Sequence, residues 1–261
     1  MNGISSQLAS RIVTAIKTNS YVGGCIEGPK GIGKTVYCMR VGHQVYRWYY
    51  DCNDTQGWRY VLQNMLFTIK DVIDRLTTAT NENVIIPQLT WDDTLVHASS
   101  ILYFLEMREV NELKSVIETV RTGTNSLLLN CTDRSGLLGF LKKSDDILVE
   151  IVKAQAGGYS RVARAYHVFK LPSGKRLIYK DFEDDFSCRI PDSVYSVYYE
   201  RRKKYLADAL KRYKELTERS ERSAKYQKIK LSLEEMQLDM RVEKLRRKGI
   251  DIPGLSMSSG E

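Results

Sequence analysis

Eight residues near the N-terminus constrain the fold of this chain more than any other stretch. Residues 28–35 read Gly-Pro-Lys-Gly-Ile-Gly-Lys-Thr and match the pattern Gly-x-x-x-x-Gly-Lys-Ser/Thr. Glycines let such a loop curl so that backbone N–H groups point at phosphate oxygens, and the following helix adds the positive end of its dipole. An apolar run over 21–26 precedes the loop, and a helical pattern over 36–50 follows it. The stretch therefore predicts a strand, a phosphate-binding loop and a helix in succession.

The loop predicts an ATP site with a separate role for each polar side chain. Lys34 can reach the β- and γ-phosphates and neutralise charge there, and the Thr35 hydroxyl can ligate Mg²⁺. The alternative, an ordinary glycine-rich turn, is disfavoured because a strand and a helix flank the loop. The predicted nucleotide contacts are Gly28, Pro29, Lys30, Gly31, Ile32, Gly33, Lys34, Thr35 and Val36.

Two adjacent aspartates, Asp92 and Asp93, follow a β-rich run over 84–91. A carboxylate at a strand end can hold Mg²⁺, and a neighbouring acid can orient the attacking water. We therefore predict that Asp92 binds the metal and Asp93 acts on the water. Pro87 cannot donate to a ladder in a central strand, so the strand begins at or after that proline. The pair could instead cap a helix that starts near Thr94.

A third strand is predicted over 126–132, and it ends in polar residues. A polar side chain at the end of that strand can contact the γ-phosphate or the attacking water. Asn130 and Thr132 are the candidates. The alternative is that both residues only end a strand.

The distal part of the core predicts a strand over 147–152 and then a β-hairpin with arms at 162–171 and 175–182. Arg161 and Arg164 lie at the base of this hairpin beside tyrosines. Basic and aromatic groups interleaved in this way can grip a strand of nucleic acid. They can equally fill the polar face of a sheet.

Local sequence patterns predict the structure of three further stretches. Residues 133–143 predict a short helix with three leucines on one side, and residues 182–187 predict an acidic loop. Pro191 suits the first position of a helix. One face of that helix is expected to dock on the body of the protein through Val194, Tyr195, Tyr198 and Tyr199.

The excess positive charge of the chain lies near its C-terminus. Residues 200–248 contain 17 Lys and Arg and 9 Asp and Glu, a net of +8. The rest of the chain holds 40 − 17 = 23 basic and 32 − 9 = 23 acidic residues, which cancel. This favours an anionic partner, nucleic acid before membrane, although a solvated helix is the alternative. The segment predicts a long helix, broken near 220–223, whose distal part pairs as a coiled coil or packs on a neighbour.

Neither a membrane span nor a secretory signal is predicted. No run approaches the roughly 18 consecutive apolar residues of a membrane-spanning helix. The first residues lack a basic stretch followed by an apolar core. Five scattered cysteines and three unclustered histidines indicate free thiols in a reducing compartment and no metal centre built from these residues. We therefore expect a cytoplasmic protein.

The loop at 28–35 and the Asp92-Asp93 pair make the chain resemble the additional-strand P-loop ATPases, the group that contains AAA+ proteins and RecA-like motors. The acidic pair is similar to that of the replication initiator DnaA and the helicase loader DnaC. The phrase at 26–35 and the Tyr- and Arg-rich helix after the hairpin resemble the small DnaA-like ATPases of archaeal viruses and plasmids. The resemblance covers about residues 1–155.

This resemblance implies an ATP·Mg²⁺ site in a mainly parallel sheet, with the polar-ended strand between the loop strand and the acidic strand. It also implies a homo-oligomer such as a hexameric ring, in which one subunit lends an arginine to the next subunit's γ-phosphate. Arg134 is the first candidate for that finger, with Arg121 and Arg108 as alternatives. A strand and a hairpin stand where AAA+ proteins carry a helical lid, so both an AAA+ and a RecA-like assignment stay open.

We expect an α/β three-layer P-loop fold with an appended β-hairpin and a long C-terminal helix. The expected parts are an ATPase core over 1–155, a hairpin extension over 156–190, a basic helical segment over 191–248 and a disordered tail over 249–261. The expected function is ATP hydrolysis in replication initiation or helicase loading on DNA of a virus or plasmid, in the host cytoplasm. A DNA-translocating motor and a nucleotide-switched interaction protein are the alternatives.

Overall fold

The structure is a computed structural model. It describes residues 4–97, 107–141, 147–155, 157–170, 176–211, 213–215 and 217–218. The chain divides into a compact unit over 1–203 and a second unit over 204–261. In the second unit the described residues are helical. The predicted coiled coil and the predicted disordered tail lie outside the described residues.

A seven-stranded sheet forms the centre of the first unit, in the order β2-β3-β4-β1-β5-β6-β7. The pairings from β2 to β5 are parallel, and the last two are antiparallel. The strand β4 lies between the loop strand β1 and the acidic strand β3, which is the order that the resemblance to additional-strand P-loop ATPases implies. The strands are β1 Val22–Glu27, β2 Met65–Leu66, β3 Leu89–Trp91, β4 Ser126–Asn130, β5 Ile147–Lys153, β6 Ser160–Lys170 and β7 Arg176–Ser187.

Helices cover both faces of this sheet, because neighbouring residues of its central strands point to opposite sides. Leu128 of β4 packs with one helical pair, α1 and α2, whereas Leu127 and Leu129 pack with α4 and α6. The result is the predicted three-layer α/β arrangement. The helices are α1 Gln7–Lys17, α2 Lys34–Tyr50, α3 Asp54–Gln63, α4 Ile69–Asn81, α5 Thr94–His97, α6 Met107–Glu118 and α7 over 192–211.

Residues 54–81 form two helices, α3 and α4, with the short strand β2 between them. Asn53 opens α3 and Thr68 opens α4, each with a reciprocal capping box that satisfies N–H groups of the first turn. Strand β3 begins at Leu89, two residues after Pro87, so the proline does not interrupt the ladder.

The helix expected over 133–143 is absent from the described part of that stretch. Residues 133–141 contain a 3₁₀ turn at Arg134–Gly136 and no α-helix. The leucines at 137, 138 and 141 are nevertheless buried in the core beside α4 and α6. Their spacing therefore reflects packing into that core, and two glycines at 136 and 139 weaken any α-helix here.

The acidic loop expected over 182–187 is also wrong, because strand β7 continues to Ser187. Phe182 and Asp184 are buried while Glu183 and Asp185 are more accessible, which is the period of a strand. Asp184 is therefore an inward-facing residue of the sheet.

The buried carboxylate of Asp184 connects β7 to the first two helices. It accepts hydrogen bonds from Ser6 Oγ at 2.6 Å, Gln7 N at 2.7 Å and Tyr37 Oη at 2.8 Å. Two of these donors lie at the N-terminus of α1, where backbone N–H groups lack partners in the helix. Asp184 thus fixes α1 and α2 against the antiparallel end of the sheet.

The aromatic face expected on α7 is narrower than predicted. Val194 and Tyr198 are buried, at 7% and 4% exposure, and Pro191 precedes the helix. Tyr195 and Tyr199 are 49% and 50% exposed. Only one side of the helix therefore packs within the first unit.

Candidate active site

The loop at 28–35 adopts backbone angles that favour glycine. Gly28, Gly31 and Gly33 have φ of +144°, +74° and +112°, and Gly33 is the residue before α2. A Cβ at Gly33 would lie 2.3 Å from Cys188 Sγ, whereas one at Gly31 would meet nothing within 4 Å. The loop is therefore packed against the end of β7 near Gly33 and open at Gly31.

The side chain of Lys34 folds over this loop. Its Nζ donates to Gly28 O at 2.8 Å and to Pro29 O at 2.9 Å. Burial lowers the pKa of Lys34, and the nearby carboxylates of Asp93 and Asp92 oppose that shift. The ammonium is thus held by neutral carbonyl acceptors, which anionic phosphate oxygens would outcompete.

Asp92 lies at the carboxyl end of β3, and its side chain is fully buried. Thr35 Oγ1 donates to its Oδ1 at 3.0 Å, and Asn130 Nδ2 donates to the same oxygen. Asn130 Nδ2 also donates to Thr35 Oγ1 at 2.9 Å. Tyr198 Oη donates to the other oxygen, Oδ2, at 2.6 Å. The loop, the acidic strand and the polar-ended strand therefore meet at one carboxylate.

Burial controls the ionisation of this cluster. It raises the pKa of Asp92, as does the charge of Asp93, while the hydrogen bond from Tyr198 lowers it. Burial also raises the pKa of Tyr198, and the charge of Asp92 raises it further. Tyr198 consequently stays protonated and acts as a donor.

Asp93 has a different environment from its neighbour. Its backbone is left-handed, with φ of +48°, and its side chain is 40% exposed. Arg202 contacts its Oδ2 through Nε at 2.8 Å and Nη2 at 2.6 Å. Burial lowers the pKa of Arg202, but Tyr198 and Asp93 outweigh this effect, so the net shift is upward. The second acid is therefore part of an ion pair with α7.

The side chains around Asp92 fit a magnesium ion. Asn130 Oδ1 is buried and has no hydrogen-bond partner among the described residues, so it can accept from a metal-bound water. Thr35 and Asp92 add hydroxyl and carboxylate oxygens, the ligands that Mg²⁺ prefers. Within the described ranges no three His, Cys, Asp or Glu side chains form a metal-binding group. The residues that would hold Mg²⁺ are therefore Thr35 and Asp92.

The other residues predicted to contact a γ-phosphate are Thr132 and three candidate arginines. Thr132 is exposed beyond the end of β4. Arg134 lies on the 3₁₀ turn, where its backbone N–H donates to Glu27 Oε2 at 3.3 Å. Arg121 is exposed on another 3₁₀ turn, and the side chain of Arg108 lies outside the described residues. The arginine finger stays a prediction.

Arg161 supports the phosphate-binding loop from the base of the hairpin. Its Nε donates to Ile32 O at 2.9 Å, and its Nη1 donates to Gly158 O at 2.8 Å and Ser160 O at 2.7 Å. Arg164 pairs with Glu183 at 3.1 Å on the surface. DNA contact through Arg161 and Arg164 stays a prediction, and Arg161 has a structural task as well.

Sequence reasoning missed that α7 contributes two side chains to the acidic pair. Tyr198 was expected to dock on the body, but nothing in the sequence identified its target. Arg202 was one of many basic residues in a charged segment. The signal for both is that they lie four residues apart, on one helix face that begins with the buried Val194.

Comparisons with known proteins find similar proteins but assign this chain to no family. No family model matches the chain. It is 24% identical over 204 residues to an uncharacterized protein, B-251, of Sulfolobus spindle-shape virus 1, covering 76% of this chain and 80% of that protein.

The solved structures that are similar to this chain superpose on it with low TM-scores. The N-terminal domain of zonular occludens toxin from Neisseria meningitidis gives a TM-score of 0.38 at 15% identity, covering 68% of this chain and 98% of that one. The genome packaging NTPase B204 of Sulfolobus turreted icosahedral virus 2, in complex with AMPPCP, gives a TM-score of 0.36 at 10% identity, covering 63% of this chain and 98% of that one. A KaiC-like protein from Pyrococcus horikoshii gives a TM-score of 0.31 at 12% identity, covering 60% of this chain and 89% of that one.

Among the helices that the structure describes, none has the length and apolar content needed to cross a bilayer.

Proposed function

We propose that this chain binds ATP with Mg²⁺ and hydrolyses it at the site formed by the phosphate-binding loop and Asp92. The observation that carries the proposal is the convergence of Thr35, Asp92 and Asn130 within hydrogen-bond distance. These residues follow or end β1, β3 and β4, which are adjacent parallel strands. A nucleotide site at the carboxyl ends of parallel strands is the expected position in such a fold.

Each side chain has a defined task in this proposal. Backbone N–H groups of the loop bind the phosphates, and Lys34 exchanges its loop carbonyls for the β- and γ-phosphates. Thr35 and Asp92 hold Mg²⁺, which when bound neutralises charge that develops on the phosphates. Asn130 contacts the γ-phosphate or the attacking water. Asp93 orients that water.

Asp93 can act on the water only after its contact with Arg202 loosens. An ion-paired carboxylate is a weaker acceptor of a water proton than a free one. The exposure of both side chains, 40% for Asp93 and 47% for Arg202, leaves them free to exchange partners. The resting arrangement therefore favours a low basal rate.

Removal of the Lys34 charge tests the proposal. Lys34→Ala should lower Mg²⁺-dependent phosphate release by at least about 100-fold, because charge neutralisation at the γ-phosphate is most of the catalysis. Lys70→Ala, which removes an exposed lysine from α4, is the matched control and should hydrolyse at the wild-type rate. Equal rates for Lys34→Ala and the wild type would overturn the assignment.

For the biological role we propose an oligomeric ATPase that acts on DNA in replication initiation or helicase loading. The net charge of +8 over 200–248 supports the choice of DNA. Arg134 is the proposed finger between subunits.

Gel filtration with nucleotide, together with ATPase rates with and without single- and double-stranded DNA at fixed salt, tests this role. Rates that rise with DNA length would favour a translocating motor instead, and rates that ignore DNA would favour a nucleotide-switched interaction protein.

A further inference from the structure

Tyr198 reaches the candidate site from an element that lies 106 residues beyond Asp92 in the chain. Its side chain is 4% exposed, and its ring stacks on Phe67 with centroids 6.0 Å apart at an interplanar angle of 27°. Phe67 directly follows β2, at the same end of the sheet as the acidic pair. The ring is therefore packed independently of the hydroxyl group.

The helix that carries Tyr198 is anchored beside the site. Arg201 donates to Leu62 O and, at 3.1 Å, to Met65 O, both of which lie where α3 passes into β2. The Arg201 guanidinium also lies 5.7 Å from the centre of the Phe67 ring. Val194, one turn before Tyr198, is buried. These contacts hold the Tyr198 hydroxyl at a fixed distance from the acidic strand.

The two oxygens of Asp92 have separate partners. Oδ1 accepts from Thr35 and Asn130, the side chains assigned to metal and phosphate. Oδ2 accepts from Tyr198, on the side of α7. Because Asp92 is fully buried, solvent cannot replace a lost donor at Oδ2 without a rearrangement.

We propose that Tyr198 is a positioning residue for hydrolysis, which fixes the carboxylate of Asp92 so that Oδ1 faces the metal. This inference rests on the proposed function, since it assigns a task to Tyr198 within the same site. It makes α7 a part of the ATPase centre in addition to its place in the basic C-terminal segment. A group that orients a metal ligand in this way commonly changes metal affinity or activity by about 10- to 100-fold.

Tyr198→Phe isolates the hydroxyl group, because phenylalanine keeps the ring and its stack on Phe67. The experiment measures ATP hydrolysis as a function of Mg²⁺ concentration, and ATP binding in EDTA by equilibrium dialysis. We expect the Mg²⁺ concentration for half-maximal rate to rise about tenfold and the rate at limiting Mg²⁺ to fall accordingly. Binding of ATP without metal should stay at the wild-type level.

Tyr195→Phe is the matched control, since Tyr195 lies on the same helix and is 49% exposed. It removes the same hydroxyl group from a more accessible position on that helix, and its Mg²⁺ requirement should equal that of the wild type. Thermal unfolding of both variants checks that neither change acts through loss of folded protein.

The outcomes separate this inference from the proposed function. A wild-type protein without Mg²⁺-dependent hydrolysis would refute the proposed function. An active wild type with an unchanged Mg²⁺ requirement in Tyr198→Phe would overturn the inference alone. A uniform loss at every Mg²⁺ concentration, accompanied by weaker ATP binding in EDTA, would also overturn it, because it would indicate a general structural role.

Discussion

Arg202 Nη2 lies 2.6 Å from Asp93 Oδ2, so α7 is paired with the acid that follows the proposed metal ligand. Tyr198, one turn earlier on the same helix, donates to Asp92. In the proposed mechanism the two contacts act differently. Tyr198 would orient a carboxylate that must stay in place, whereas Arg202 would occupy one that must become available to water.

Substitution of Arg202 should release Asp93. We expect Arg202→Gln to raise the basal rate of ATP hydrolysis severalfold at saturating Mg²⁺, because the free carboxylate is a better acceptor for the attacking water. The pair is partly exposed, so its loss should change the free energy of unfolding by at most about 1 kcal/mol. Single-turnover phosphate release measures the effect. A lower rate would mean that the Arg202 charge itself assists the reaction.

Truncation of Asp184 should destabilise the first unit. Asp184→Ala leaves Ser6 Oγ, Gln7 N and Tyr37 Oη without their buried acceptor, which should lower the free energy of unfolding by about 3 kcal/mol. For a unit of this size that corresponds to a fall in Tm of about 10 °C. Calorimetry of this variant and of Asp185→Ala, the more accessible neighbour, provides the comparison. Equal Tm values for the two variants would contradict the proposed linkage.

A side chain at Gly33 should disturb the phosphate-binding loop. Gly33→Ala places a Cβ on a backbone with φ of +112° and 2.3 Å from Cys188 Sγ, so the loop or the end of β7 must shift. We expect ATP binding to weaken at least tenfold, measured by titration calorimetry. Gly139→Ala is the control, since a Cβ there meets nothing within 4 Å. Wild-type affinity in Gly33→Ala would show that the loop tolerates another conformation.

The basic C-terminal segment should determine the salt dependence of DNA binding. Replacing Lys225, Lys228 and Lys230 by Gln removes three positive charges, so the slope of log K against log salt should shrink by about 2 to 3. Fluorescence anisotropy with a labelled duplex at several salt concentrations measures it. The same change at Lys70, Lys114 and Lys153, in the part of the chain without net charge, should leave the slope unaltered. An equal slope for both triple variants would place the DNA contact elsewhere.

The parts of the site that could be predicted are those whose chemistry is local in sequence. The loop at 28–35 and its flanking strand and helix specify one another over about 30 residues. Asp92 and Asn130 were identifiable because each ends an apolar strand, and parallel strands present their carboxyl ends at one edge of the sheet.

The contacts with α7 could not be predicted, because they join residues more than 100 positions apart. A tyrosine and an arginine on a charged helix are compatible with many targets, and only the path of the chain selects Asp92 and Asp93. The structural role of Asp184 could not be identified from the sequence for a different reason. A run of acidic residues suggested a loop, because Asp184 is as polar as its neighbours Glu183 and Asp185 and the sequence shows no alternation there. The alternation is one of burial and is visible only in the structure.

The stretch over 133–143 shows the converse error. Its leucine spacing matched a helix, but the same spacing also suits an irregular segment whose leucines enter a shared core. Periodicity over so few residues cannot distinguish the two.

The central claim, that this site hydrolyses ATP with a metal held at Asp92, is tested most directly by one substitution. Phosphate release from ATP is measured at saturating Mg²⁺ for the wild type, for Asp92→Asn and for the control Asp185→Asn on β7. We expect Asp92→Asn to lose at least about 100-fold in rate, since it keeps the size of the side chain but removes the charge that holds the metal. Hydrolysis by Asp92→Asn at the rate of the wild type would contradict the account.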